Sequence, residues 1–140
     1  MSTVKLSIPE EELMQSRANV EDVRMLWDGI LDILLERVHH KSISIVELAH
    51  IAVEVDILLR AIKGKNGVWG SVIDVASQLI KKDVCPRELI SELPYNASTI
   101  YRALERLELT GFAVRPLDGS RCWTINSEKC PVLYRATRHA

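Results

Sequence analysis

The chain has 140 residues, of which 47% are hydrophobic, and its formal net charge is −1. This length predicts one ordinary domain or two small modules that share a core, and the apolar fraction can fill that core. The near-neutral charge argues against a histone-like protein that coats nucleic acid, although the half of the chain after residue 84 is mildly basic and suits an anionic partner.

The N-terminal segment MSTVKLSIPEEELMQ carries no apolar run of signal-peptide length. The most apolar stretch, residues 43–62, is repeatedly interrupted by charged side chains, which a membrane span does not tolerate. We therefore expect a soluble, cytoplasmic protein without a membrane partner.

Two amphipathic helices are predicted before residue 63. The first covers residues 20–39, with apolar side chains at three- and four-residue spacing and Asn19 as its N-cap. The second follows Ser42, its expected cap, and runs to about Ile62 with only a narrow polar stripe. Because so short a chain has too few segments to cover this helix on all sides, we expect a second copy to cover it. Residues 8–62 are thus predicted to be a helical dimerisation region.

The segment KGKNG, at residues 63–67, is the clearest break in the chain, because glycine and asparagine interrupt two periodic segments there. After it, the apolar spacing predicts a helix from residue 68 to about residue 81. The segment PRELISEL then predicts a short helix, with Pro86 at its first position and Pro94 beyond its end.

A further helix is predicted over residues 96–110, capped at its start by Asn96 or Ser98 and stopped by Gly111. One stripe of this helix is apolar, so its polar side chains should lie on the other faces. Residues 112–117 and 121–126 are predicted to form two strands joined by an Asp-Gly turn. The side chains expected to face inward from these strands are Val114, Trp123 and Ile125.

The order of helix, short helix, turn, helix and hairpin resembles a winged helix-turn-helix. The segment STIYRALERLELTGFAVRPLDGSRCWTI is similar to the recognition helix and wing of MarR-like and PadR-like transcription regulators of bacteria and archaea. The resemblance implies a mainly α fold with a small β-hairpin wing, in which residues 68–126 form the winged helix-turn-helix domain and residues 127–140 a C-terminal tail. It also implies a homodimer that binds double-stranded DNA in a sequence-specific way and regulates transcription.

The resemblance implies a helix in the major groove and a hairpin tip at the neighbouring backbone or minor groove. Ser98 and Thr99 would bond phosphate at the helix start, while Arg102 would contact guanine or a phosphate. Arg121 would hold the minor groove or a phosphate. Tyr101 would either contact DNA or lie partly buried between helices. The full set of expected DNA-contacting residues is Asn96, Ser98, Thr99, Tyr101, Arg102, Arg106, Arg115, Ser120 and Arg121.

Two acidic residues on the same helix, Glu105 and Glu108, weaken its positive field. They favour an alternative in which the winged helix is a protein–protein interaction subunit of a nucleic-acid-processing complex.

The sequence contains no glycine-rich phosphate loop, no nucleophile elbow and no HExxH helix. We therefore expect no enzyme activity, no catalytic residues and no cofactor. Two Glu-x-x-His pairs, Glu36 with His39 and Glu47 with His50, could serve a metal-dependent helical enzyme together with Glu54. The polar edges of two amphipathic helices explain these residues more simply, so no metal site is predicted.

The cysteines Cys85, Cys122 and Cys130 are odd in number and lack close CxxC spacing, which predicts free thiols. A redox pair of Cys122 with Cys130 is the alternative. For the terminal segment PVLYRATRHA, a strand, a short helix and a disordered basic arm all remain open.

Overall fold

The computed structural model describes residues 20–64, 67–116 and 121–138, and these are mainly helical. The helices, in chain order, are α1 (Val20–His39), α2 (Ile45–Ala49), α3 (Ile51–Ile62), α4 (Gly70–Lys81), α5 (Pro86–Glu92), α6 (Ala97–Thr110) and α7 (Pro131–Arg138). The strands are β1 (Lys63–Gly64), β2 (Gly67–Val68), β3 (Ala113–Val114) and β4 (Thr124–Ile125). None of the described helices is long and apolar enough to cross a membrane.

Helix α1 has the bounds expected from its apolar spacing. Leu26, Ile30 and Leu34 lie four residues apart on one face and are buried. This face packs against α4 and α7. The expected cap, Asn19, lies outside the described residues.

The long second helix expected from the sequence is divided in two at His50, between α2 and α3. Its cap is Ser44 and not Ser42, so the predicted cap is wrong. Ser44 and Glu47 form a capping box, in which the Ser44 hydroxyl accepts from the Glu47 amide and the Glu47 carboxylate accepts from the Ser44 amide. Only Ser44 has a glutamate three residues later, which is what this motif requires. The Ser42 hydroxyl instead donates to the carbonyl of Arg37.

On either side of the break, β1 and β2 pair in antiparallel fashion, Lys63 with Val68 and Gly64 with Gly67. A Cβ at Gly64 would overlap the indole ring of Trp69, so this approach needs a glycine. The amide of Trp69 donates to the carbonyl of Ile62 at 2.8 Å. The chain therefore reverses directly from α3 into α4.

Helices α4, α5 and α6 are followed by the β3–β4 hairpin. Helix α6 packs against α3, α4 and α5. It ends at Gly111, whose φ of 96° is left-handed; the amides of Gly111 and Phe112 donate to the carbonyls of Glu108 and Leu107. This pair of hydrogen bonds is the Schellman motif, and it confirms Gly111 as the residue that stops the helix.

The hairpin is shorter than expected, and the predicted Asp-Gly turn lies outside the described residues. Ala113 pairs with Ile125 and both are buried, whereas Val114 pairs with Thr124 and is only partly buried. The prediction that Val114 faces inward is therefore wrong, because alternate strand residues face opposite sides and Ala113 takes the inner one. Trp123 and Ile125 are buried as expected.

Val84, between α4 and α5, adds a short edge to this hairpin. Its amide donates to the carbonyl of Trp123 at 3.0 Å and its carbonyl accepts from the Trp123 amide at 2.6 Å. The two residues are antiparallel partners and both are buried. The element order from residue 70 is thus helix, single bridge, helix, helix and hairpin.

The C-terminal segment is a helix, α7, which packs against α1, α3 and α4. Its start is capped by the buried carboxylate of Glu54, which accepts from the amides of Val132 at 3.0 Å and Leu133 at 2.8 Å. Near its end, Arg37 donates to the carbonyl of Ala136. Of the three alternatives for this segment, the short helix is confirmed. One continuous core therefore includes residues from both sides of the β1–β2 hairpin.

Candidate nucleic-acid interface

Helix α6 presents one polar stripe to solvent, because its opposite stripe is fully used in the core. Ile100, Leu104 and Leu107 are completely buried. The exposed side chains at helical spacing on the outer face are those of Ser98, Tyr101, Arg102, Glu105 and Leu109. Tyr101 is 46% exposed, so it lies on the open face and not between helices.

Side-chain hydrogen bonds hold the start of α6 and the residue before its cap. Asn96 is the N-cap and its side-chain oxygen accepts from the amide of Thr99 at 2.9 Å. Just before it, the Tyr95 hydroxyl donates to the Asp74 carboxylate on α4 at 2.6 Å. The prediction that Thr99 is exposed is wrong, since this residue is only 2% exposed. Ser98 occupies the open position instead.

A groove of about 590 Å³ lies between α5, α6 and the β3–β4 hairpin. We call it the hairpin groove. Its lining residues are Cys85, Pro86, Arg87, Glu88, Tyr101, Glu105, Arg115, Pro116, Arg121 and Trp123. Arg87 and Arg121 are exposed there, and Arg102 lies next to Tyr101 on α6. No carboxylate in the described part of the chain forms an ion pair with Arg87, Arg102 or Arg121.

Arg115 also lines the hairpin groove, but its charge is used within the protein. Its guanidinium bonds the Glu108 carboxylate through two nitrogens, at 2.9 and 3.0 Å, and lies over the Trp123 ring at 5.0 Å from the centroid. The hydrogen bond and charge of Glu108 raise the pKa of the Arg115 guanidinium. Arg115 is therefore a poorer candidate for a phosphate contact than its sequence position indicated.

Arg106 does not lie on the open face of α6. Its guanidinium donates to the carbonyls of Ala61 and Lys63, each at 2.5 Å, and stacks on Trp69 at 4.4 Å from the ring centroid. These carbonyls belong to the end of α3, where the last turn lacks partners within the helix. The prediction that Arg106 contacts DNA is therefore wrong. Its guanidinium instead joins α6 to the end of α3. Ser120, also expected to contact DNA, lies outside the described residues.

Cys85 and Cys122 form a disulfide, so the prediction of free thiols is wrong for this pair, and so is the pairing of Cys122 with Cys130. The antiparallel bridge of Val84 with Trp123 brings the two cysteines together, because it places residue 85 opposite residue 122. No spacing in the sequence marks a pair 37 residues apart. Cys130 is free and buried, and burial together with the charge of Glu54 raises the pKa of its thiol to about 12.

The carboxylates considered for a metal site have other partners. Glu47 caps α2 and forms an ion pair with Arg135 on α7, while Glu54 caps α7. The backbone hydrogen bond from Ser44 and the Arg135 side chain lower the pKa of Glu47. Among the residues that the structure describes, no three His, Cys, Asp or Glu side chains cluster as metal ligands do.

Comparison with known protein families, with curated proteins and with solved structures finds no match to this chain.

Proposed function

We propose that the protein binds double-stranded DNA as a homodimer, through a winged helix-turn-helix formed by residues 68–126, and regulates transcription. The order of helix, bridge, helix, helix and hairpin supports this proposal, as does the pairing of Val84 with Trp123, which adds a third edge to the small sheet. In this arrangement α6 is the recognition helix and the β3–β4 hairpin is the wing.

The observation that carries the proposal is the placement, around one concave surface, of arginines that form no ion pair with a carboxylate of the described residues. Arg102 lies on the outer stripe of α6, and Arg121 lies on the hairpin side of the groove. A guanidinium on the recognition helix can make a bidentate contact with guanine in the major groove. A guanidinium on the wing can hold phosphate or the minor groove.

Supporting contacts come from Ser98 and Tyr101, which share the outer stripe of α6 with Arg102. Ser98 lies in the first turn, where a hydroxyl and the helix amides can together bond phosphate. Glu105 on the same stripe and Glu88 in the groove oppose an anionic partner. The net electrostatic field at this surface is therefore weak. Specific contacts must supply most of the discrimination between DNA sequences.

The deciding experiment is fluorescence anisotropy of the purified protein with random duplex DNA, titrated with salt. If Arg87, Arg102 and Arg121 of both protomers reach phosphates, the dimer makes about six contacts and the log–log salt slope is about −5. A protein that fails to bind duplex at low salt would contradict the proposal.

One observation favours a second candidate, a protein–protein interaction subunit. Leu109 is 84% exposed and lies on the same stripe of α6 as Glu105 and Tyr101. Exposed leucine and tyrosine beside a carboxylate suit a protein partner better than DNA. Co-purification of a stoichiometric partner, lost on Leu109→Asp and combined with no affinity for duplex, would select this function.

Homodimerisation is supported by a second groove, of about 550 Å³, between α1 and α3. We call it the apolar groove. Its apolar lining residues are Val23, Leu26, Trp27, Ile30, Ala52, Val55, Leu58, Leu59 and Ile62. Charges of both signs, Arg24 and Asp56, also line it, so a second copy meets no excess of like charge. This groove lies in the region where the sequence predicts the dimer contact.

A further inference from the structure

An ion pair between Glu108 and Arg115 lies at the hairpin groove, where Arg115 is one of the lining residues. Nε and Nη2 of the Arg115 guanidinium donate to the two oxygens of the Glu108 carboxylate, at 3.0 and 2.9 Å. One face of the same guanidinium lies over the Trp123 ring, 5.0 Å from its centroid. Arg115 therefore has an anionic partner within the protein itself.

The two partners are carried by separate elements that meet at the end of α6. Glu108 lies in the last turn of α6, whose end is fixed by the hydrogen bonds from the amides of Gly111 and Phe112. Arg115 directly follows β3, which pairs with β4. The chain reversal at Gly111 thus brings together two charged residues that are seven positions apart. Because both elements are held by backbone hydrogen bonds, the pair is built into the fold.

The Glu108 carboxylate uses the donors of Arg115 that a DNA phosphate would use. Carboxylate and phosphate groups both accept two parallel N–H bonds from one guanidinium. The side chains of Arg115 and Glu108 are 53% and 35% exposed, so an anion in the groove can reach the pair. An ion pair at this exposure contributes little to stability and can exchange its carboxylate for another anion. Glu108 and a phosphate would therefore compete for the same donors.

We propose that Glu108 is an internal competitor of DNA phosphate for Arg115, and that this contact limits the affinity of the protein for duplex DNA. The inference rests on the proposed function, because it requires the hairpin groove to face DNA. Arg87 and Arg121 line the same groove and form no ion pair with a carboxylate of the described residues. Arg115 differs from them because Glu108 neutralises its charge. Since phosphate contacts carry no sequence information, the restraint acts on all duplexes alike.

Three variants isolate this contact. Glu108→Gln keeps the shape of the side chain and removes its charge. Arg115→Ala/Glu108→Gln removes both partners and has the same formal net charge as the wild type. Glu92→Gln, at an exposed position of α5 that does not line the hairpin groove, has the same net charge as Glu108→Gln and is the matched control. The charge of Glu105 adds a smaller attraction to Arg115, and every variant retains it.

Fluorescence anisotropy with a random duplex, titrated with salt, compares these variants with the wild type. We expect Glu108→Gln to bind about tenfold more tightly at low salt, with a log–log salt slope steeper by about 2, because each protomer of the dimer gains one phosphate contact. The wild type, Glu92→Gln and the double variant should bind within about twofold of one another, since none of them presents an additional arginine to a phosphate.

Several outcomes of this comparison would overturn the proposal. A Glu108→Gln variant that binds no tighter than the double variant would show that the contact does not restrain binding. An equal gain in Glu92→Gln would show an effect of net charge alone. A double variant that binds more weakly than the wild type would show that Arg115 contacts DNA in spite of Glu108.

A second measurement tests the competition without DNA. Inorganic pyrophosphate is titrated into the wild type and Glu108→Gln while NMR follows the side-chain Nε–Hε signal of Arg115, which is identified by its absence from the double variant. We expect this signal to respond in Glu108→Gln at a pyrophosphate concentration about fivefold lower than in the wild type, because the guanidinium no longer has a carboxylate partner.

The two measurements separate this proposal from the proposed function. If none of the proteins binds duplex at low salt, the proposed function fails, and the pyrophosphate titration alone decides whether Glu108 competes for Arg115. A response of Glu108→Gln at lower pyrophosphate would then still support competition between Glu108 and a phosphate group. Equal responses of the wild type and Glu108→Gln would overturn it.

Discussion

At the scale of single residues, two arginines one turn apart on α6 have different surroundings. Arg102 is exposed on the outer stripe, whereas Arg106 bonds the carbonyls that end α3. We expect Arg102→Ala to weaken binding to a preferred duplex by about 1–3 kcal/mol and to change stability by less than about 0.5 kcal/mol. Arg106→Ala should instead lower the free energy of unfolding by about 1–3 kcal/mol, because it leaves backbone carbonyls without partners.

Anisotropy with duplex DNA and urea unfolding of the same two variants measure both effects. Arg60→Ala is a suitable control, because Arg60 is an exposed arginine on α3 that pairs with Asp56, and neither residue lines the hairpin groove. If Arg102→Ala and Arg60→Ala bind alike, Arg102 is not a DNA contact.

Glu54 is a second residue whose role depends on its surroundings. Its carboxylate is buried, and this burial raises its pKa in spite of the hydrogen bonds from Leu133 and Val132, which lower it. The folded protein therefore binds the Glu54 proton more tightly than the unfolded chain does. It follows that the contribution of Glu54 to stability is complete below the unfolded pKa of about 4.3 and is lost as the pH rises through the folded pKa.

We expect the wild type to lose stability relative to Glu54→Gln as the pH rises from about 4.5, because the amide does not titrate. Urea unfolding of both proteins between about pH 4.5 and pH 7 measures this difference. The pKa of Glu47 is lowered, so its contribution to stability is lost as the pH falls, but this loss is the same in both proteins. Parallel stability curves for the two proteins would show that Glu54 does not titrate differently on folding.

At the scale of the elements, α7 is part of the core and not an arm that reaches for DNA. Leu133 is buried, and the arginines of this helix bond within the protein: Arg135 pairs with Glu47, and Arg138 pairs with Asp83 and donates to the carbonyl of Leu79. The positively charged side chains near the C-terminus therefore hold α7 against α2 and α4.

We expect Leu133→Ala to lower the free energy of unfolding by about 2–5 kcal/mol, the range for a buried leucine. Leu109→Ala, at an exposed position of α6, is the matched control and should change stability by less than about 0.5 kcal/mol. Thermal and urea unfolding measure both variants. Equal, small effects would indicate that α7 does not pack on the core.

At the scale of the whole molecule, the proposed dimer places two recognition helices on one duplex. Such dimers bind half-sites about one DNA turn apart. Leu59 lines the apolar groove and remains 44% exposed in the single chain. A charge there would meet the apolar groove of the second copy without disturbing the fully buried core.

We expect Leu59→Asp to convert a dimer into a monomer and to weaken duplex binding, while Leu109→Asp leaves the dimer intact. Light scattering at micromolar concentration measures the oligomeric state, and anisotropy measures binding. A wild-type protein that is monomeric in this assay would contradict the dimer, as would a Leu59→Asp variant that remains dimeric.

The sequence by itself determined the local features. Apolar spacing predicted the bounds of α1. The glycine at residue 111 predicted the end of α6, and the apolar residues of the second strand predicted that Trp123 and Ile125 face the core. These features depend on residues within about two turns or one strand of each other, so their cause is contained in a short segment. The single break of the second helix at His50 and the choice of Ser44 over Ser42 show that boundaries are less secure than the elements themselves.

Only the tertiary structure decided how the polar and sulfur-bearing residues are used. Arg106 bonds a carbonyl 45 residues away, Glu54 caps a helix 78 residues away, and the disulfide joins cysteines 37 residues apart. Each of these contacts requires elements that are distant in sequence to pack first, and no local pattern encodes that arrangement. This is why the sequence predicted helix α6, whereas the fold decided which of its arginines remain exposed to solvent.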